Sequence, residues 1–380
     1  MADTRWVPHA KRLVDQLVAA GAITDNAIER AFRDTPRHLF IHRGKTWGAG
    51  EARDRVVVGG TDASEDDLRL IYQDAVIEIK AGSTSSQPAV MARMLEDLGL
   101  RKDMQVLEIG TGSGWNAALM AAVCGGRHVF TIELDRELAT TAARLFKQLG
   151  YAGVTVGCGD GALGYPPGGP YDGVLVTAAC DDLAPAWLEQ LADPGVILFP
   201  WRLHAGTNST AAAALRLERS GEALEGRFTQ CLHVAPLVSR HIACPPEQAP
   251  GAVPEPGGSG VVVSRVPMPE GCRARTKVWS LAFFLGLNLR PSARMLGDGV
   301  TVADLQAGEL VRLAPPGADL ELEGELGEHV ESIIAGWQGL GSPGMEDYRL
   351  AVFSAAKPPE GEWIIRRRHF WYRVSLPAQP

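Results

Sequence analysis

Three carboxylates and three glycines are spaced so that they could hold a small cationic ligand. Glu108 lies in the run VLEIGTGSGWN (residues 106–116), just ahead of Gly110, Gly112 and Gly114. Glu133 closes the apolar run FTIE, and Asp160 closes VTVGCGD. An apolar strand, a glycine turn and a helical pattern, in that order, bring backbone close to a nucleotide-like ligand. Glycine is needed where a Cβ would block the ligand or forbid the turn. Dinucleotide enzymes share this turn, so the turn alone does not choose the cofactor. The acids sharpen the choice. A carboxylate at position 108 would repel a pyrophosphate but suits a cation. One at the end of the second strand can accept from both ribose hydroxyls. One at the end of the third can reach an adenine amino group. Each acid alone reads equally well as a surface charge or a helix cap. Three at consecutive strand ends point to S-adenosylmethionine, which carries a sulfonium and an ammonium.

The elements that must position these residues follow from periodicity. Residues 10–41 read as two helices, the first stopped at Gly21 and the second capped by Thr24 and ended at Pro36. Residues 43–70 are rich in glycine and charge and read as an irregular insertion or flexible loop. Residues 72–88, YQDAVIEIKAGSTSSQP, contain a short strand and a turn, with Pro88 opening the next helix. Then QVLEIG, HVFTIEL, VTVGCGD, YDGVLVTAA and GVILFPW read as strands, with helices between most of them and LAPAWLEQLAD as the last. That alternation predicts an α/β fold, a doubly wound Rossmann-like parallel sheet. AAALRLER and FTQCLHVAPL read as a final strand pair. ACPPEQAPGAVPEPGGSG reads as a linker. The expected organisation is an N-terminal part over residues 1–90, a core over 91–240, a linker over 241–260 and an α+β accessory domain over 261–380. Arg366, Arg367 and Arg368 lie in a strand-like run and read either as a binding patch or as a charged sheet edge.

Bulk properties narrow the classes further. A chain of 380 residues has room for two domains and a sizeable core. A net charge of −8 argues mildly against nucleic acid as a partner. None of the six cysteines forms a CxxC pair or has a histidine at metal-ligand spacing. They read as reduced, largely buried thiols, with no metal expected. The first residues, MADTRWVPHAKRLVDQL, lack the apolar stretch of a secretory signal, and no apolar run approaches the ~20 residues of a membrane span. A cytoplasmic protein without a membrane partner is expected.

Residues 10–240, apart from 43–70, resemble the protein-L-isoaspartate O-methyltransferase family. The motifs are LVDQLVAAGAITDNAIERAFRDTPRHLF, then Y-x-D at Tyr72 and Asp74, then T-S-S-Q-P from Thr84 to Pro88. LEIGTGSG, TIEL, GDG, PYDGVLVTAA and DPGVILFP follow. The resemblance implies methylation of the free carboxylate of an isoaspartyl residue, with Ser86 as the active-site serine and Thr84 beside it. It implies cofactor contacts from Glu108, Gly110, Thr111, Gly112, Gly114, Glu133, Leu134, Asp160 and Gly161. An ionised carboxylate needs no general base, so catalysis reduces to alignment and desolvation. Capping of the helix that opens at Pro88 is the competing reading of Thr84 and Ser86.

The chain departs from this family at Val76 and Lys80, where proline and glycine are usual, in the 43–70 insertion, and in its C-terminal unit. These departures favour a specialised member acting beside a bacterial ribosomal-peptide cluster. Such an enzyme would methylate one aspartate of a constrained or cyclised precursor peptide, and the ester would close to an aspartimide that can open to isoaspartate. The alternatives are an isoaspartyl repair enzyme with an added domain and a regulatory module that binds S-adenosylmethionine without turnover.

Overall fold

Apolar runs separated by helical patterns become a parallel sheet in this protein. The computed structural model describes residues 3–47, 54–202, 211–233, 237–239, 241, 264–266, 275–288, 293–295, 301–304, 309–312, 320–322 and 324–377. The chain folds into two units. The first comprises Met1–Ala178, Pro185–Leu198 and Arg219–Gly221; the second comprises Ala179–Ala184, Phe199–Glu218 and Glu222–Pro380. This division differs from the linear one expected from composition. Most of the expected linker lies outside the described residues.

The first stretch of chain carries α1 (Val7–Ala19), α2 (Asn26–Asp34), β1 (Arg43–Trp47), β2 (Val56–Val58), α3 (Glu65–Ile71), β3 (Val76–Lys80), β4 (Ser83–Ser85) and α4 (Pro88–Leu98). It continues with β5 (Val106–Ile109), α5 (Trp115–Cys124), β6 (Val129–Glu133), α6 (Arg136–Gln148), β7 (Thr155–Cys158), β8 (Tyr171–Val176), α7 (Pro185–Glu189) and β9 (Leu191–Trp201). In the first unit the strand order is β9-β8-β5-β6-β7, and every pair is parallel. The chain order reverses at β5, which pairs with both β6 and β8, so the sheet is doubly wound. Ligands of such sheets bind outside the carboxyl ends at this switch point. All four β5 residues are buried, as a parallel strand covered on both faces must be. Ile109 pairs with Ile132, and Glu133 with Cys158, so β5, β6 and β7 finish level with one another.

Local structure corrects four expectations. The cap of α2 is Asp25, whose carboxylate accepts from the Ala27 and Ile28 amides; the Thr24 hydroxyl instead donates to Glu96 at 2.7 Å. The described residues between 43 and 70 are not irregular. They supply β1, β2 and α3, the last opened by a reciprocal Ser64–Asp67 capping box. The strands were disguised because β2 has three residues and β1 carries exposed Arg43 and Lys45 beside a glycine; residues 48–53 lie outside the described residues. A four-stranded antiparallel sheet results, in the order β2-β1-β3-β4. The expected helix over LAPAWLEQLAD shortens to the five residues of α7, because Leu191 enters the sheet opposite Tyr171. The run WIIRRRHFWYRVSL is two strands rather than one.

The second unit adds β10 (Ala211–Ser220) and β11 (Ala223–His233), then β12 (Ser264–Val266), α8 (Arg275–Asn288), β13 (Ala293–Met295), β14 (Thr301–Asp304), β15 (Glu309–Arg312) and β16 (Leu320–Leu322). It ends with α9 (Gly324–Gly339), β17 (Arg349–Ser354), β18 (Trp363–Arg366) and β19 (Phe370–Ser375). One array runs β18-β19-β17-β11-β10, and a second runs β12-β16-β15-β14-β13. Its core is aromatic: Trp201 stacks on Phe228, and Phe283 packs edge-on to Phe228 and Tyr348. β18 is the edge of its array, which fits the reading of the arginine run as a charged edge. Arg366 lies over Trp371 and Arg367 over Trp201. Of the cysteines whose environment is described, Cys124 and Cys180 are buried and Cys158 is exposed; all three are free thiols. No helix among the described residues is long and apolar enough to cross a membrane.

Candidate active site

The chain leaves β5 through a turn that only glycine can make. Gly110 has φ +98°, and a Cβ there would stand 2.4 Å from Thr177 Oγ1. Gly112 has φ +53°, and a Cβ there would meet the Thr84 carbonyl oxygen at 3.2 Å. That close approach joins the cofactor turn to the loop carrying Thr84 and Ser86. The turn runs into the N-terminus of α5, with Gly114 as its cap.

The three acids sit around this turn in different ways. Glu133, at the end of β6, accepts from the Gly112 amide at 2.9 Å and from the Asp135 amide at 3.1 Å. Asp160 follows β7 and accepts from the Ala162 amide at 3.0 Å, capping the short turn Gly161–Leu163. Both carboxylates are only partly covered. Glu108 is fully buried beneath the turn, its oxygens taken by Asn116 Nδ2 at 2.7 Å and Thr131 Oγ1 at 2.6 Å. Burial pushes its carboxyl up to about 7. Thr111 is buried too, with its hydroxyl 2.7 Å from that of Thr131. Gly161 is packed so closely that a Cβ would stand 2.4 Å from Ile109 Cγ2; its carbonyl accepts from the Trp187 indole at 2.8 Å. Leu134 is half exposed beside Glu133.

The hydroxyl loop is held by groups around it. Neither Thr84 nor Ser86 caps α4: its N-cap is Gln87, without a side-chain cap bond. Asp74, the last residue of the Y-x-D motif, accepts from the Ala89 amide at 2.8 Å and from Gln87 Nε2 at 2.7 Å. Arg37 is buried and donates to the carbonyls of Ile71, Gln73, Ala75 and Ser86 at 2.8–3.1 Å, with its guanidinium 5.0 Å from the Trp115 ring centre. Burial lowers its guanidinium to about 10, still charged near neutrality. Tyr72 bonds His38 Nδ1 at 2.9 Å, and burial lowers that imidazole to about 4. Lys80, at the end of β3, ion-pairs with Asp135 and Glu137.

The structure gathers the expected acids and glycines around one turn, and adds Arg37, Asn116 and the capping by Asp74, none of which was expected from the sequence. An arginine between proline and histidine in PRHLF gave no signal that four carbonyls converge on it. A tyrosine-spaced aspartate ahead of a Pro-led helix was a usable signal for Asp74.

Comparison with known proteins identifies the family. Residues 63–241 match the family described as Protein-L-isoaspartate(D-aspartate) O-methyltransferase (PCMT). A Protein-L-isoaspartate O-methyltransferase of Ignicoccus hospitalis is 38% identical over 191 residues, covering 50% of this chain and 80% of that one. One of Vibrio campbellii is 32% identical over 236 residues, covering 62% of this chain and 99% of that one. A solved structure named protein-L-isoaspartate O-methyltransferase has a TM-score of 0.52 and 22% identity, and the similarity covers 90% of this chain and 96% of that one. The fold therefore has a solved counterpart extending beyond the region matched to the family. The chain belongs to the protein-L-isoaspartate O-methyltransferase family of S-adenosylmethionine-dependent carboxyl O-methyltransferases.

Proposed function

We propose that this enzyme methylates the side-chain carboxylate of an aspartyl-type residue in a peptide. The observation that carries the reading is the approach of the Thr84 carbonyl to Gly112, which sets a hydroxyl loop against a cofactor turn. The residues fit the cofactor: a cradle closed to any Cβ at Gly110, two partly covered carboxylates at adjacent strand ends, and a buried carboxyl beneath. Glu133 would hold the ribose hydroxyls and Asp160 the adenine amino group, with Thr111, Leu134 and Gly161 lining the site. S-adenosylmethionine supplies, when bound, an electrophilic methyl on a sulfonium. The chain's own task is placement. Ser86 donates to one oxygen of the substrate carboxylate and aims the other at the methyl, with Thr84 alongside. No proton moves in that transfer. The following backbone amide can then attack the ester, expelling methanol and closing an aspartimide.

The finer reading is a tailoring enzyme that methylates one aspartate of a constrained ribosomal precursor peptide. Val76 and Lys80, the added strands β1 and β2, and the second unit support it, because recognition of one folded peptide needs surface beyond the carboxylate. The second reading is repair of isoaspartyl residues, favoured by the names of the Ignicoccus and Vibrio relatives. Incubation with labelled cofactor and two substrates, an isoaspartyl hexapeptide and a cyclised aspartate-containing precursor, separates them. Label in the precursor supports tailoring. Label in the hexapeptide alone removes it in favour of repair. Label in neither would favour the module that binds S-adenosylmethionine without turnover.

A further inference from the structure

The four-stranded sheet has two unlike faces. Thr46, Val57, Ile77 and Ser85 are buried on one, together with Gly44, where a Cβ would stand 2.4 Å from Ile77 Cγ2. Arg43, Lys45, Trp47, Val56 and Val58 are exposed on the other, Trp47 by 57% and Val56 by 55%. Register connects this outer face to the active-site loop. Val56 pairs with Lys45, Lys45 with Glu78, and Glu78 with Thr84. Residues directly opposite share a face, so one transverse row runs from Val56 to Thr84. Three strand spacings make that row about 14 Å long. Trp47 opposes Val76 in the neighbouring row.

Scattered exposed apolar side chains are ordinary, whereas a cluster marks an interaction surface. Of the nine large apolar side chains exposed among the described residues, Trp47, Val56 and Val58 share this face. Lys45 is paired with Asp54 at 3.1 Å, and Arg43, opposite Val58, places a second cation beside the apolar groups. β1 and β2 also precede the family-matched residues 63–241.

We infer that this face binds the polypeptide flanking the methylated residue, laid in extended form from Thr84 toward Val56 and Trp47. The inference rests on the peptide carboxyl-methyltransferase reading. Continuity of the row with the hydroxyl loop selects the substrate polypeptide as its occupant. About four extended residues cover the row, so the face fits a peptide with apolar side chains two to four residues from its target carboxylate. Trp47 is the anchor, as a half-exposed indole presented by a strand suits that role.

The test uses a labelled 20-residue peptide with one isoaspartate and leucines two and four residues away, its binding followed by fluorescence anisotropy with S-adenosylhomocysteine present. Full-length protein should bind it more tightly than an isoaspartyl tripeptide. A Trp47→Ser/Val56→Ser double variant should lose about tenfold in affinity for the 20-mer, with tripeptide binding and Tm unchanged. Equal binding of the 20-mer by both proteins, or a parallel loss for the tripeptide, would overturn the inference. Methyl transfer is read separately on the same peptides. Its absence with the affinity difference retained would count against the carboxylate chemistry and leave the docking surface standing.

Discussion

The Lys80 ammonium reaches Asp135 Oδ2 at 2.6 Å and also Glu137 Oε2 at 2.8 Å, fastening the end of β3 to the first turn of α6. Asp135 in turn donates its amide to Glu133. A residue of the active-site hairpin is thereby tied to the acid assigned to the ribose.

Because this pair is solvent-exposed, salt should screen it. Lys80→Met should raise the KM for S-adenosylmethionine about threefold at low ionic strength, and the difference should vanish near 0.5 M salt, where the screening length is only a few ångström. Steady-state kinetics across a salt series check this. A difference that persists at high salt would show that Lys80 acts through packing.

Replacing Ser86 by Ala should lower kcat by about one to two orders of magnitude, the scale for losing one preorganised donor. Cofactor affinity should change little, since Ser86 reaches the rest of the site through its carbonyl on Arg37. Calorimetric titration with S-adenosylhomocysteine provides the check. A collapse of cofactor affinity would make the serine structural.

Two buried groups set opposing pH dependences. His38 is depressed to about 4, so between pH 4 and 6.5 the unfolded chain binds its proton and the folded chain does not; stability from this group falls on acidification. Glu108 is raised to about 7, so the folded chain holds the extra proton from pH 4.5 to 7 and stability from this group falls as pH rises. Over pH 4.5–6.5 the two slopes oppose. Glu108→Gln should therefore lose stability on acidification more steeply than the parent, by up to about 1.4 kcal/mol per pH unit, the slope with which Glu108 offsets His38. Urea unfolding at several pH values measures this. A bound cation favours ionised Glu108, so cofactor affinity in the parent should also rise from pH 6 to 8, and this rise should flatten in Glu108→Gln.

Ser85 faces the sheet interior opposite Ile77, and its buried hydroxyl has no hydrogen-bond partner. Ser85→Ala should stabilise the protein by about 1 kcal/mol, because an unsatisfied buried hydroxyl costs more than the methyl that replaces it. Chemical denaturation reads the gain. Unchanged or lower stability would mean that the hydroxyl finds a partner in solution.

The central sheet was legible because its strands are apolar runs bounded by glycine and acids, and parallel pairing leaves no alternation to misread. Which way Glu108 points was not. A carboxylate beside a glycine turn reads as facing the ligand, whereas pairing with Asn116 and Thr131 turns it under the turn. Of the small sheet only the short strand in residues 72–88 was legible, because β2 and β4 have three residues each and carry too little pattern. Arg37 escaped because the carbonyls it gathers span residues 71–86, and only the folded chain brings them together.

Arg37 grips main-chain oxygens alone, and in doing so separates the path of the hydroxyl loop from its chemistry. Side chains at positions 83 and 84 can be exchanged, with Ser86 kept, without releasing that grip on the Ser86 carbonyl. A library randomised there would sample new substrate preferences on an unaltered backbone, which makes this segment the natural handle for redirecting the enzyme.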